Sequence, residues 1–202
     1  MLIEKEEAEF TLSEVSAVTG FNAETIRAWR KRKHLSPLER YAKIGLRELA
    51  SLAVRKQLLN HGFGPADSRS VGDAYAASVI YAAILDTPGS CEVHGTAAAI
   101  AAFEQEWGDD NGLGHSLAET DGQTVLWLIS TDGGALVPDV ELDVGPNSLT
   151  GYYIHLQALG NHVGAAAGKP LFKVRVKLDA DEQGRVLVRR VPRMTRDLDR
   201  RG

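Results

Sequence analysis

The chain has 202 residues, of which 44% are apolar and 25% are charged, as in soluble globular proteins of one or two domains. This composition excludes a wholly disordered chain, and no run of about 18 apolar residues is present to suggest a membrane span. The formal net charge of −4 would by itself argue against a nucleic-acid partner.

The total charge conceals blocks of opposite sign. Residues 22–69 hold eleven bases and four acids, and residues 169–202 hold eleven bases and five acids. Residues 70–168 hold thirteen acids and no Lys or Arg. Such asymmetry indicates a nucleic-acid-binding part and a separate acidic part.

The N-terminal residues and the cysteine usage favour a cytoplasmic protein. The sequence begins Met-Leu-Ile-Glu-Lys-Glu-Glu, which is too acidic for a signal peptide. The single cysteine, Cys91, cannot form an intramolecular disulfide, which fits a reducing compartment.

Residues 11–34 carry the pattern of two short helices joined by a tight turn. Thr11 and Glu14 have the spacing of a capping box, Gly20 is placed to end the first helix, and Asn22 can cap the second. The second helix is expected from Ala23 to about Lys33. It places Ile26 and Trp29 on an apolar side and Arg27, Arg30, Lys31 and His34 on a basic side.

A third and a fourth helix are predicted before a break in the chain. Ser36-Pro37 ends the second helix, and a short basic stretch, residues 38–43, leads to a helix over 46–60. Its inward residues are expected to be Leu46, Leu49, Ala50 and Ala53, and its outward residues Arg47, Glu48, Arg55 and Lys56. Gly62 ends it, Pro65 suits the first turn of the next helix, and residues 71–85 are apolar nearly all round, as in a domain core or a dimer contact.

Residues 87–90, Thr-Pro-Gly-Ser, form a break that we take as a domain boundary. Beyond it the sequence predicts a helix over 96–107, a loop over 108–122 and strands over 124–130 and 135–144. Residues 149–167 suit a helix, although Tyr152, Tyr153 and Ile154 also suit a strand. The alternating segment 172–178 and the segment 185–188 predict a hairpin with a basic outer face, followed by a charged tail.

The order of elements in the first third of the chain resembles the MerR family of winged-helix regulators. Residues 10–21, Phe-Thr-Leu-Ser-Glu-Val-Ser-Ala-Val-Thr-Gly-Phe, match the opening helix and turn of that family, and Thr25-Ile26-Arg27 matches the start of its second helix. Leu35 with Pro37, and His61-Gly62-Phe63, resemble later motifs of the family. The resemblance covers about residues 9–75 and implies a winged helix-turn-helix.

The resemblance also implies particular DNA contacts. Thr25 and Arg27 take positions that face DNA, and Arg40 and Tyr41 take the places of the arginine and tyrosine of the wing. The helical-face pattern adds Arg30, Lys31 and Lys43 as groove or phosphate contacts. The sequence departs from the family at Ala28, where an aromatic is usual, in a shorter wing, and in the lack of a long dimerisation coiled coil.

No catalytic, metal or cofactor site is predicted. Cys91 and His94 are too few ligands for a closed metal site, and His155 and His162 are expected to be structural or surface residues. Residues 164–170 fail the spacing of a phosphate-binding loop, and no nucleophile and base pattern is present.

The sequence therefore predicts an α+β protein in three segments. A winged helix-turn-helix with the apolar helix that follows spans 1–86, an acidic α+β domain with a mainly antiparallel sheet spans 91–192, and a tail spans 193–202. We expect a sequence-specific transcriptional regulator that binds double-stranded DNA as a homodimer, with a possible small-molecule ligand in the C-terminal domain and no membrane partner. The alternative is an architectural DNA-binding protein of phage type, such as a terminase small subunit or an excisionase. A further alternative is a ligand-binding or enzymatic C-terminal domain to which the DNA-binding head is an accessory.

Overall fold

A computed structural model of the chain describes residues 1–35, 37, 43–107, 112–120, 123–131, 137–139, 148–178 and 186–191. These residues form an α+β structure in which antiparallel pairing predominates, as predicted. The helices are α1 (Leu12–Thr19), α2 (Ala23–Lys31), α3 (Leu46–Asn60), α4 (Asp67–Asp86), α5 (Ala97–Trp107), α6 (Gly112–Ala118) and α7 (Leu156–Ala167). The strands are β1 (Leu2–Glu7), β2 (Glu9–Phe10), β3 (Ile44–Gly45), β4 (Cys91–Gly95), β5 (Val125–Thr131), β6 (Val137–Asp139), β7 (Ser148–His155), β8 (Phe172–Lys177) and β9 (Leu187–Arg190).

The helix α4 lies at the centre of the molecule. It packs against α3 on one side and α7 on another, and most of its residues from Tyr75 onward are buried. The many-sided burial predicted for 71–85 is therefore confirmed. The backbones of α4 and α7 approach so closely that a Cβ added at Gly160 would lie 2.6 Å from the Cβ of Ala82.

The largest sheet has the strand order β1-β8-β4-β9. The predicted hairpin of 172–178 with 185–188 is wrong, because β4 lies between β8 and β9, parallel to the first and antiparallel to the second. The alternation in β8 did identify its buried face, Phe172, Val174 and Val176. A period of two assigns side chains to faces but does not specify the neighbouring strand.

The segment 149–167 is a strand followed by a helix, so the helix prediction is correct only for its second half. The strand β7 pairs with β5, and α7 begins at Leu156 with the Nδ1 atom of His155 accepting from the Ala158 amide at 3.2 Å. The predicted loop 108–122 contains α6. Of the predicted strand 135–144, only 137–139 lies within the described residues, as β6.

Residues before the predicted domain boundary at 87–90 make many contacts with residues after it. N-terminal β1 pairs with β8, and α1 and α3 both contact α7. One continuous hydrophobic core extends from Phe10 to Val176. Among the described helices, none combines the length and the apolar character that crossing a membrane requires.

Candidate nucleic-acid interface

The first two helices are joined by a turn whose caps the sequence specifies. The Thr11 amide donates to Glu14 Oε2 at 2.6 Å and the Glu14 amide donates to Thr11 Oγ1 at 3.3 Å, which completes the capping box. Gly20 ends α1 with a φ of 70°, a left-handed conformation that favours glycine. Asn22 then caps α2 by accepting from the Glu24 amide at 2.8 Å. All three predicted caps are confirmed.

The helix α2 presents a short basic surface. Ile26 and Trp29 are buried, and the rings of Trp29 and Phe21 meet edge to face with centroids 5.0 Å apart. Arg27 and Lys31 are exposed one helical turn apart, and Thr25, two residues before Arg27, is half-buried. A helix held by one apolar side and basic on the other can enter a major groove with its exposed side chains towards the bases.

Arg30 is largely buried, unlike Arg27 and Lys31. Its Nη2 atom is 2.8 Å from Oε1 of Glu48 on α3, and only 14% of the Arg30 side chain is exposed. Burial raises the pKa of Glu48 from its usual value, and the nearby guanidinium only partly offsets that effect. This ion pair braces α2 against α3, so Arg30 is occupied within the protein.

Two arginines hold the residues that directly follow α2, a role that no sequence pattern predicted for them. Arg55 donates to the His34 carbonyl at 3.1 Å and to the Pro65 carbonyl at 2.9 Å, and its guanidinium lies 4.4 Å from the centroid of the Trp29 ring. Arg69 donates to the Lys33 carbonyl at 3.1 Å. These contacts fix where α2 ends relative to α3 and α4.

The prediction that Arg55 points outward is wrong, because the residue is 1% exposed. Space for its side chain is provided by Gly72 on α4, where an added Cβ would lie 2.5 Å from Arg55 Cγ. Helical periodicity could not reveal this, because α3 is buried between α4, α7 and the first two helices. Gly72, on the neighbouring helix α4, was the sequence feature that could have indicated a buried side chain at Arg55.

The connection between α2 and α3 ends in β3, which forms a short strand pair with β2. Phe10 of β2 pairs with Ile44 of β3, and both residues are buried. Lys43 is exposed beside this pair, with its Nζ atom 3.6 Å from Glu9 Oε2. Arg40 and Tyr41, predicted as contacts of the wing, lie outside the described residues.

The C-terminal half of the chain holds α1 in place. Lys169 Nζ lies 2.6 Å from Glu14 Oε1 and 2.8 Å from the Glu9 carbonyl, and it stands 4.4 Å from the centroid of the Phe10 ring. This contact, with the Thr11 amide, lowers the pKa of Glu14 to about 2. At the other end of α1, His162 Nε2 is 2.9 Å from the Val18 carbonyl.

The described residues contain few groups suited to metal binding or to thiol chemistry. They contain no group of three or more His, Cys, Asp or Glu side chains placed to hold a metal ion. Burial raises the pKa of the Cys91 thiol to about 12, which keeps it protonated and unreactive.

No protein-family model matches the sequence, and comparison with curated proteins also yields no match.

Proposed function

We propose that the chain is a sequence-specific transcriptional regulator that binds double-stranded DNA through a winged helix-turn-helix, with α2 as the recognition helix. The observation that carries the proposal is the position of α2. It follows a three-residue turn after α1, is anchored through Ile26 and Trp29, and exposes Arg27 and Lys31. Guanine acceptors in the major groove are the usual partners of such side chains.

The strand pair β2–β3 supports a wing. It pairs Glu9 and Phe10, which precede α1, with Gly45 and Ile44, which precede α3, so the connection from α2 to α3 ends beside the N-terminus of α1. In winged-helix proteins a connection of this kind contacts the DNA backbone. Lys43 at its base is therefore proposed as a phosphate contact, together with Arg40 and Tyr41 within the segment.

Burial and ion pairing separate the basic residues into those proposed to contact DNA and one proposed to act within the protein. Arg27, Lys31 and Lys43 are exposed and are proposed to contact DNA, as is Thr25 in the first turn of α2. Arg30 is proposed to act indirectly, by fixing the orientation of α2 through Glu48. A single recognition helix reads only a few base pairs, so the proposal includes a homodimer on a two-fold symmetric site.

The proposal is tested by selecting binding sites from random duplex DNA with the full chain and then measuring affinities by fluorescence anisotropy. Replacing a base-reading residue, Arg27→Ala, should reduce discrimination at its position by about 1–3 kcal/mol. Replacing a phosphate contact, Lys43→Ala, should weaken binding to all sequences alike and reduce the slope of log affinity against log salt by about one.

The matched control is Lys177→Ala, an exposed base on β8 that pairs with Glu4, and it should leave DNA affinity unchanged. Wild-type affinity and selectivity in Arg27→Ala would overturn the assignment of the reading surface. A selection that yields no consensus, with cooperative binding to adjacent sites, would instead favour the architectural function of a packaging or recombination protein.

A further inference from the structure

A cleft of about 390 Å³ opens between the C-terminal end of α3, the end of β7 and the first half of α7. Gln57 and His61 line it from α3, His155 from β7, and Leu159 and His162 from α7. Small-molecule sites in proteins usually enclose about 300–1,000 Å³. The cleft therefore has room for a ligand of one or two rings.

The lining includes aromatic and aliphatic side chains. Tyr153 lines the cleft and is 57% exposed, and the His61 ring, which also lines it, lies 5.2 Å from the ring of the neighbouring Tyr152. Ile154 and Leu159 are nearly fully buried and supply an aliphatic floor. Flat rings and aliphatic groups together favour a planar ligand that can stack and exclude water.

The polar groups of the cleft restrict the ligand further. Three imidazoles and the amide of Gln57 can donate and accept hydrogen bonds, although His155 Nδ1 and His162 Nε2 already have backbone partners. Among the described residues that line the cleft there is no Asp or Glu to pair with a cation and no Lys or Arg to hold a phosphate. An aromatic ring whose polar groups are phenolic or carboxylate oxygens matches this set, because imidazole and amide N–H groups can donate to such oxygens.

Two of the elements that form the cleft, α3 and α7, also hold α1 and α2 in place. His162 lies on α7 and contacts the Val18 carbonyl at the end of α1. The other wall, α3, carries Glu48 and Arg55, which hold α2. A ligand that changes the spacing of α3 and α7 would therefore change the position of α1 and α2.

We propose that this cleft is an effector site for a planar aromatic molecule that carries a phenolic or carboxylate oxygen. The regulatory role rests on the proposed DNA-binding function, whereas the ligand site does not.

The site is tested without DNA, by titrating the full chain with 4-hydroxybenzoate in ligand-observed NMR. Binding is expected with a Kd of about 1 mM or lower. Benzamidine, an aromatic cation, and cyclohexanecarboxylate, a non-planar acid, should bind about tenfold more weakly, because the first lacks an acidic partner and the second cannot stack. No detectable binding of 4-hydroxybenzoate, or equal binding of all three probes, would overturn the site.

Two variants locate the binding. Tyr153→Ala and His61→Ala each remove an aromatic group at the cleft from a partly exposed position, and each should weaken 4-hydroxybenzoate binding about fivefold or more. The control is His94→Gln, in β4 of the sheet β1-β8-β4-β9. This variant should bind 4-hydroxybenzoate as the wild type does. Thermal unfolding confirms that each variant is folded, and wild-type affinity in both cleft variants would place the ligand elsewhere and overturn the proposal.

The effector role is tested last, on the DNA site selected above. Saturating 4-hydroxybenzoate should change DNA affinity about threefold or more for the wild type, and less for His61→Ala at the same concentration, because weaker binding leaves the variant partly unliganded. Ligand binding with unchanged DNA affinity would overturn the effector role and leave the site standing. If the chain binds no DNA, the proposed function fails, and the titration without DNA still decides the site.

Discussion

Glu14 both caps α1 and links it to the C-terminal half of the chain through Lys169. Its pKa falls from 4.5 to about 2 in the folded protein, so the folded state favours the ionised form. The unfolded chain binds the proton more readily, so this stabilisation is present above about pH 4.5 and is lost as the pH falls towards 2. The pair is one-third exposed, which limits its contribution to about 0.5–1 kcal/mol.

We therefore expect Glu14→Gln, which keeps the capping box and removes the charge, to lower the free energy of unfolding by that amount at pH 6. The difference from the wild type should shrink at pH 3. Urea unfolding at the two pH values measures it, with Glu106→Gln, an exposed residue on α5, as the control. A difference between variant and wild type that is the same at both pH values would show that the charge is not responsible.

Arg55 is the residue whose loss we expect to affect the position of α2 most. Arg55→Met keeps much of the side-chain volume but removes the Arg55 donor from the His34 carbonyl and leaves the Pro65 carbonyl only the Ser68 hydroxyl, which should cost about 2–4 kcal/mol. The matched control is Arg47→Met on the exposed side of the same helix, expected within about 0.5 kcal/mol of the wild type. Chemical denaturation compares the two, and equal stabilities would contradict the clamp that Arg55 forms between the end of α2 and the α3–α4 loop.

Between elements, α4 and α7 make a close backbone contact. A Cβ at Gly160 would meet Ala82 Cβ and the Val79 carbonyl, each at 2.6 Å. Alanine normally stabilises a helix relative to glycine by about 1 kcal/mol. Here we expect Gly160→Ala to destabilise by about 1–3 kcal/mol, because backbone atoms of α4 must move.

The control for this prediction is the reverse exchange at an exposed site of α7, Ala166→Gly, which should destabilise by about 1 kcal/mol through helix propensity alone. Both exchanges are thus expected to lower the thermal midpoint, for different reasons. A raised midpoint in Gly160→Ala would show that α4 and α7 can separate at little cost.

Elements defined by local chemistry could be predicted from the sequence, and those defined by distant partners could not. The caps at Thr11, Gly20 and Asn22 lie within a few residues of the groups they satisfy, so α1 and α2 were recognisable. The insertion of β4 between β8 and β9 depends on pairs such as Cys91 with Phe172 and Glu92 with Arg190, which are 81 and 98 positions apart. The same is true of the candidate site, where Arg27 and Lys31 follow from helical periodicity but Arg55 and Lys169 act through contacts that no local pattern contains.

Across the whole molecule, the charge blocks are partly resolved into ion pairs. Acids of the segment 70–168 meet bases from both ends of the chain, at Glu92 with Arg190, Glu104 with Arg189, and Glu119 with Lys5. On the β1–β8 edge, Glu4 and Glu6 face Lys177 and Arg175. The acidic segment therefore joins the termini to the body of the protein through ion pairs. The exposed bases of α2 take part in none of these pairs and face the solvent.

These connections predict that the chain unfolds as one cooperative unit, although its sequence suggests division near residue 87. The strand β1 belongs to the sheet of β4 and β8, and α7 contacts both α1 and α3, so the loss of either half exposes core of the other. In a variant with Trp107→Phe and Trp127→Phe, fluorescence reports on Trp29 in α2 alone. Its urea transition should coincide with that of far-UV circular dichroism, and adding Gly160→Ala should shift both midpoints equally. A Trp29 transition that stays in place while the circular dichroism midpoint moves would show that residues 1–86 fold independently of the rest.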